Sequence, residues 1–208
     1  MKSPPDSRIS VPPPGWREWA GRIWFEIKSI FIDYPGKPPW RQIVDTVLSA
    51  FLLALLIRWL FLQAFYIPSS SMENTLLKDD RILVSKVQYY FREPRHREII
   101  VFWFAPEEKH FIKRVIGLPG DRIEMVRKKL YVNNVLQEEP YAVHKDPLFD
   151  SDRDDFRPIV VPKDHYLALG DNRDFSKDSR YWGFVDRKDI VGKAFCIYWP
   201  INRMGSLP

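Results

Sequence analysis

The sequence predicts a mainly β protein: an antiparallel, barrel-like β domain that follows one transmembrane helix, which in turn follows an amphipathic helix. Three observations predict this fold class. Residues 42–66 contain a membrane-length apolar stretch, and the region before it repeats apolar residues at helical spacing. The region after it consists of short runs rich in β-branched and aromatic residues. The 208 residues suffice for one modest domain and an anchor.

The first 41 residues are predicted to form a cytoplasmic N-terminal segment. Residues 1–15 are rich in proline and are expected to lack regular structure. From Trp16 to Tyr34, apolar residues recur at helical spacing and charged residues occupy much of the other face. This pattern predicts an amphipathic helix that lies either on the inner leaflet of a membrane or against a partner protein.

Residues 42–66 are predicted to be the transmembrane anchor. Thr46–Ile57 alone is too short, because it spans roughly 18 Å of helix and the hydrocarbon core is about 30 Å thick. Extension to Tyr66 reaches about 31 Å and places Arg58 near one interface, where its side chain can snorkel. The alternatives are a buried helix of a soluble domain and a cleaved secretory signal. The charge within the stretch and the long preceding segment disfavour cleavage.

Basic residues flank the apolar stretch on both sides, but more of them precede it. A long C-terminal domain largely escapes the positive-inside rule, so we expect the N-terminus inside and residues 67–208 outside. The domain at 67–208 is predicted to be rich in antiparallel strands, because short β-type runs alternate with turn sequences. The predicted strands cover residues 81–87, 98–104, 110–118, 122–126, 130–136, 160–161, 165–169 and 190–199, and turns are predicted at 117–121 and at Asn133-Asn134.

Composition argues against several classes of protein. The net charge of +5 is small and dispersed, which suits an anionic membrane surface and predicts no nucleic-acid partner. The single cysteine, Cys196, excludes an intramolecular disulfide. The four histidines are scattered, so we expect no metal site. A Ser-His-Asp triad assembles from distant segments and stays open as an alternative, although no pattern singles out a histidine.

Lys113 is the first candidate for chemistry. In a strand it shares a face with Phe111 and Val115, so it is predicted to be buried among apolar neighbours. Burial lowers the pKa of a lysine from about 10.4, and a decrease of two to three units costs about 3–4 kcal/mol. Such a lysine can act as a base. The alternative is a lysine whose stem packs while its amine reaches water.

Ser71 is the second candidate, in the segment Ile67–Met72 directly after the apolar stretch. A serine hydroxyl becomes a nucleophile when a neighbouring base takes its proton. Pro68 forces an extended or turning backbone, which can present the hydroxyl and leave backbone N–H groups to stabilise an oxyanion. The alternative is that Ser71 caps a helical turn. A serine beside a buried lysine at a membrane indicates a protease at the bilayer surface.

The segment Gly170–Gly183 concentrates three aspartates and two arginines. We expect buried ion pairs that rigidify the edge of a site. A solvated loop is one alternative. A calcium loop starting at Asp174 is another, but it would require glycine at Ser179 and glutamate at Val185.

Together, in this order, these segments closely resemble the type I signal (leader) peptidases, bacterial membrane-anchored serine proteases of the Ser-Lys kind. The resemblance covers about residues 44–200 and rests on Phe65–Met72, Asp80–Val84, Phe111–Asp121 and Gly170–Gly183. It implies a single-pass endopeptidase of the bacterial plasma membrane, with its catalytic domain on the outer side. Its substrates would be preproteins with signal peptides, and it would need no metal or cofactor.

By position, the resemblance implies that Ser71 is the nucleophile and Lys113 the general base. Ser69 matches the serine whose hydroxyl joins the oxyanion hole, and Ser176 matches the serine that orients the lysine. The resemblance also implies two structural ion pairs, Asp171 with Arg114 and Asp178 with Arg180. It further implies an apolar substrate pocket that is lined by Phe65, Ile67 and Ile112.

Two loop positions depart from the family pattern: Ser70 stands where glycine is common and Asn74 where proline is common. Two other functions stay open. A catalytically inactive, membrane-tethered β module that binds extended peptides would need neither Ser71 nor Lys113. A self-cleaving Ser-Lys repressor would need a DNA-binding module, where this chain has an apolar helix.

Overall fold

The computed structural model describes Gly15, Trp19, Trp24, Lys28 and residues 38–208. The amphipathic helix predicted for Trp16–Tyr34 falls almost entirely outside the described residues and stays a prediction. Every described strand lies in one compact unit, Arg58–Pro208. The described architecture is therefore one apolar helix followed by antiparallel β-sheets, which confirms the predicted class.

Helix α1, Pro39–Phe61, is the long apolar element. Its residues Pro39–Arg58 are long and apolar enough to cross a membrane, and few of their side chains are buried. A core helix of a soluble domain would bury one face, so this exposure disfavours that alternative. The hydroxyls of Thr46 and Ser49 donate to backbone carbonyls within the helix, which satisfies these polar groups without a partner.

The helix differs from the predicted segment 42–66 at both ends. It begins at Pro39, a residue that suits the first turn of a helix because its missing N–H would have no helical partner. It ends at Phe61, and strand β1, Leu62–Tyr66, follows directly. The backbone groups of β1 pair with the antiparallel strand β2, Arg81–Ser85, from Leu62 opposite Ser85 to Tyr66 opposite Arg81. This pairing supplies the hydrogen bonds that a longer helix would have made internally.

The larger sheet contains β1 and β2 together with β3 Ile99–Phe104, β4 Lys109–Gly117, β9 His165–Leu169, β10 Val185–Asp186, β11 Ile190–Trp199 and β12 Gly205–Ser206. Its strand order is β1-β2-β11-β3-β4-β9-β10, with β12 paired to β11, and its pairs are antiparallel.

This sheet curls without closing. Three strands separate β1 from β4, yet the rings of Phe65 and His110 on these two strands lie 5.1 Å apart. Because β1 and β10 remain as two edges, the predicted barrel-like closure is incomplete. The open edge of β1 becomes part of the cleft described below.

The smaller sheet has the order β7-β6-β5-β8. Its strands are β5 Arg122–Val126, β6 Lys129–Val132, β7 Val135–Leu136 and β8 Phe156–Val160. The strand predicted for 130–136 is divided into two at the predicted turn, because Asn133 and Asn134 adopt positive φ and reverse the chain. Within residues 62–208, the chain also forms three short α-helices: α2 Gln88–Phe91, α3 Ser151–Asp154 and α4 Ser179–Trp182.

One hydrophobic cluster supports the loop between β1 and β2. Met72 and Leu76 from this loop are buried with Ile82 and Val84 of β2 and Ile99 of β3. Burial of a large aliphatic side chain stabilises a fold by about 1.5–3 kcal/mol. The loop is therefore held against the sheet by its own apolar residues.

Candidate active site

The loop between β1 and β2 carries Ser71 and is closed at its base. Ile67 N donates to Asp80 O and Asp79 N donates to Ile67 O, each at 2.9 Å. These bonds extend the β1–β2 ladder beyond the strands. Ser71 lies on a partly buried turn just above the buried side chain of Met72. The loop is thus anchored at its two ends and beneath Ser71.

Lys113 reaches Ser71 from the middle of β4. Its Nζ donates to Ser71 Oγ at 2.8 Å, across 42 residues of sequence. The lysine is only 4% exposed, and its residue in β4 pairs with Ile100 of β3. The predicted burial of this lysine on an apolar face is therefore what the structure has, and its amine lies beside a hydroxyl.

Burial lowers the pKa of Lys113 to about 8. The carboxylates of Asp178 and Asp171 act in the opposite direction, and the charge of Arg180 lowers the pKa further. Desolvation penalises the ammonium form more than these carboxylates stabilise it. A measurable fraction of Lys113 is therefore neutral near pH 7, which is the form that can accept a proton from Ser71.

Ser69 and Ser176 approach the pair differently. Ser69 Oγ lies 3.4 Å from Ser71 Oγ, so its hydroxyl is next to the position where a reacting carbonyl would sit. Ser176 is buried, and its Oγ makes no hydrogen bond with Lys113 or with any other residue that the structure describes. Its hydroxyl faces Asp178 and makes a small contribution to lowering the pKa of that carboxyl. The role of Ser176 in orienting Lys113 stays a prediction.

Arg114 and Asp171 form a fully buried bidentate ion pair. Arg114 Nε and the guanidinium's second nitrogen donate to the Asp171 carboxylate at 2.8 and 2.6 Å. Thr75 Oγ1 also donates to Asp171 at 2.5 Å, and the guanidinium lies 4.0 Å from the ring centre of Tyr141. This cluster ties β4, the Ser71 loop and the loop after β9 together. Removal of one charge from such a buried pair typically costs about 3–5 kcal/mol.

Arg180 and Asp178 form the second predicted pair, with bonds of 2.8 and 2.9 Å to the two carboxylate oxygens. Burial would raise the pKa of Asp178, but the hydrogen bonds and the charge of Arg180 lower it. Asp178 also accepts from Gly170 N at 3.0 Å and from Arg180 N, where it caps α4. The pair therefore shapes the loop that faces Lys113.

Two residues of this loop have roles that sequence reasoning did not assign. Asn172 N donates to Ser71 O at 3.1 Å, and Asn172 Nδ2 donates to Ser70 O at 3.2 Å. A side chain on Gly170 would place its Cβ 2.1 Å from Ser176 Oγ and 2.5 Å from Ser71 O. Both lie in the segment Gly170–Gly183, but local pattern does not reveal a contact with a loop about 100 residues away.

An apolar cleft of about 380 Å³ opens beside the Ser71–Lys113 pair. The predicted pocket residues Phe65, Ile67 and Ile112 all line it. Within the described sheets, β1 pairs on one side only, and β4 pairs with β9 only from Arg114 onward. Two unpaired strand edges therefore flank the cleft.

His110 also lines this cleft, and sequence reasoning missed it. Its ring lies between those of Phe65 and Trp103, each with a centroid separation of 5.1 Å. Burial lowers the pKa of His110. His110 and Ile112 are two residues apart in β4 and therefore share a face of the strand. This spacing was the sequence feature that could have placed His110 beside the predicted pocket residue Ile112. Across the described ranges, no group of three His, Cys, Asp or Glu side chains could hold a metal ion.

Comparison with known proteins identifies the family. Residues 40–199 match the family described as "Signal peptidase, peptidase S26". A probable signal peptidase I-2 of Synechocystis sp. is 42% identical over 84% of this chain and 80% of its own length. Signal peptidase I P of Bacillus subtilis subsp. natto is 37% identical over 77% of this chain and 90% of its own length.

A crystal structure of a signal peptidase I from Enterococcus faecalis V583 is 33% identical, with a TM-score of 0.42, and covers 49% of this chain and 97% of that chain. The family match spans more than half of the chain, and the relatives are aligned over most of their length. The chain therefore belongs to the signal peptidase family, peptidase S26.

Proposed function

We propose that this protein is a signal peptidase I that removes N-terminal signal peptides from exported preproteins. The observation that carries the proposal is the contact of 2.8 Å between Lys113 Nζ and Ser71 Oγ, with the amine buried and its pKa lowered to about 8. A neutral amine at this distance can take the hydroxyl proton as a general base. The family membership of the chain supports the same chemistry.

In the proposed first step, neutral Lys113 accepts the proton of Ser71 as Ser71 Oγ attacks the scissile carbonyl carbon. The hydroxyl of Ser69 and a backbone N–H stabilise the tetrahedral oxyanion. Lys113 then donates its proton to the leaving amine, and the peptide bond breaks to form an acyl-enzyme. In the second step, neutral Lys113 takes a proton from a water molecule as the water oxygen attacks the carbonyl carbon of the ester. The bond from that carbon to Ser71 Oγ then breaks, and Lys113 returns the proton to Ser71 Oγ, which restores the enzyme.

The substrate is proposed to lie extended between the unpaired edges of β1 and β4. Backbone hydrogen bonds to a strand edge hold a peptide without regard to most of its side chains, and alternate side chains then point to one face. The side chains at −1 and −3 would enter the part of the cleft lined by Phe65, Ile67 and Ile112. A shallow apolar surface there selects small residues.

Helix α1 is proposed to hold the enzyme in the bacterial plasma membrane as a single span, with the N-terminus in the cytoplasm. The β domain then lies on the outer side, where exported preproteins emerge. An anchored enzyme and an anchored substrate share one surface, which raises their effective concentration. The length and composition of the candidate span Pro39–Arg58 support a single membrane crossing.

A processing assay tests the proposal directly. A preprotein with alanine at −1 and −3 is incubated with vesicles that contain the wild-type chain, Ser71→Ala or Lys113→Ala. We expect loss of cleavage in both variants, whereas Ser70→Ala, an exposed neighbour, should cleave normally. Equal cleavage by all four proteins would contradict the Ser-Lys mechanism, whereas no cleavage by the wild-type chain would favour the inactive peptide-binding module.

A further inference from the structure

Helix α2, Gln88–Phe91, lies where the chain passes from α1 into the β domain. The carbonyl of Phe61, the last residue of α1, accepts a hydrogen bond of 3.0 Å from Lys86 N. The register of β1 and β2 places Leu62 opposite Ser85, so the end of β2 adjoins the start of β1. The chain enters α2 two residues after Lys86. The short helix is therefore next to the end of α1.

Tyr89 holds this helix in place. It is 5% exposed, its hydroxyl donates to Glu98 at 3.1 Å, and its carbonyl accepts from Arg187 at 2.5 Å. The two neighbouring aromatic residues point away from this support. Tyr90 is 82% exposed and Phe91 is 84% exposed, more than any other large apolar side chain in the described part of the chain.

We propose that Tyr90 and Phe91 insert into the boundary between headgroups and acyl chains of the bilayer that α1 crosses. The inference rests on the proposed membrane anchoring by α1. Aromatic side chains favour this boundary, because it offers an apolar environment for the ring and water for a polar edge. Continuity with the end of α1 identifies lipid as the partner, since a helix end emerges at this boundary.

Lys86 supports the assignment by charge. It is partly exposed between the end of α1 and the aromatic pair. A basic side chain at the membrane surface is attracted to anionic lipid headgroups. The combination of an aromatic pair with a neighbouring lysine is that of an interfacial anchor.

A second membrane contact would restrict the orientation of the β domain. The five residues of β1 extend about 17 Å between the end of α1 and the Ser71 loop, so a tilt changes the height of the cleft above the membrane. Insertion of Tyr90 and Phe91 would hold the cleft at a constant height, where the end of a signal peptide emerges.

Fluorescence quenching tests the contact itself. The full chain, with Cys196→Ser, carries one new cysteine, in Phe91→Cys, Phe149→Cys or Leu53→Cys, labelled with an environment-sensitive fluorophore. Each protein is reconstituted into vesicles of phosphatidylcholine and phosphatidylglycerol, with and without brominated acyl chains. We expect the fluorescence emission of the label at position 91 to shift to shorter wavelength and to be quenched by the brominated acyl chains. Phe149, an exposed aromatic residue in a polar segment, is the matched control and should show neither.

The label at position 53 reports on α1 separately. An unquenched label at 91 would overturn the inference, whatever the label at 53 shows. Because the vesicles contain no other protein, quenching at 91 cannot come from a protein partner.

Activity gives a second measurement. The double variant Tyr90→Ser, Phe91→Ser should cleave a soluble peptide at the wild-type rate and lose rate on a preprotein embedded in vesicles. Equal rates on the embedded preprotein for variant and wild type would count against the inference. A wild-type chain that cleaves neither substrate would contradict the proposed function alone, and the quenching result would still decide whether the aromatic pair inserts.

Discussion

The titration of Lys113 determines how the activity of this protein should depend on pH. Burial lowers the pKa of this lysine to about 8 from an ordinary value of 10.5. In the proposed mechanism the neutral amine is the reactive form, so kcat/KM should rise as pH passes through this value. His110 also lines the cleft, and burial lowers its pKa from 6.5, so its titration lies below this range.

The size of the effect follows from the fraction of neutral amine. With a pKa of about 8, Lys113 is about one tenth neutral at pH ~7 and about nine tenths neutral at pH ~9. We therefore expect kcat/KM to increase about tenfold between these two values. The increase should follow a single titration, because one proton on one amine controls the reaction.

The assay uses the full chain in detergent and a fluorogenic peptide with alanine at −1 and −3 and no group that titrates in this range. Ser71→Ala supplies the background at each pH, and far-ultraviolet circular dichroism verifies that the fold persists. A flat profile from pH ~7 to ~9, or a midpoint near 10.4, would refute the assignment, because 10.4 is the pKa of a solvated lysine.

Three further predictions concern stability and packing. In denaturant titrations at pH ~7, Lys113→Met should raise the free energy of unfolding by about 3 kcal/mol, because the ammonium form of Lys113 is less favourable in the folded protein than in the unfolded chain. Above pH ~10.5 the lysine is largely neutral in both states, so the gain should fall to almost nothing. A gain independent of pH would contradict this. Asp171→Asn should destabilise the protein by about 3–5 kcal/mol, whereas the control Asp186→Asn, which removes a partly exposed carboxylate, should change stability by at most about 1 kcal/mol; equal losses would be the contrary result. Gly170→Ala should reduce kcat by about 100-fold, because its Cβ would lie 2.1 Å from Ser176 Oγ, and a wild-type rate would show that the loop relaxes freely.

The candidate base could be selected from the sequence because the spacing of apolar residues along a strand predicts which side chains are buried. Lys113 alternates with apolar residues, and period-two alternation in a strand places those residues on one face. The turn at Asn133 was recognised from composition, since asparagine tolerates the left-handed conformation that it adopts. The same reasoning overextended the membrane segment to Tyr66, because an apolar run does not distinguish the end of a helix from an adjoining strand.

The contacts that hold the site together could not be predicted from pattern. Asn172 binds the backbone of the Ser71 loop, and Gly170 permits the close approach of that loop to Ser176. These contacts depend on separations in space between segments about 100 residues apart. The curl that brings β1 opposite β4 is also a property of the whole sheet, because each strand contributes a small twist.

The sequence by itself determined that an apolar helix precedes a β domain and that one serine and one lysine occupy unusual neighbourhoods, since spacing along a strand and hydrophobic length are local quantities. Only the tertiary structure decided that the amine and the hydroxyl lie 2.8 Å apart, that the amine is almost fully withdrawn from water, and that an open cleft adjoins them. The physical reason is that desolvation depends on every segment packed around the lysine, and those segments come from both halves of the domain.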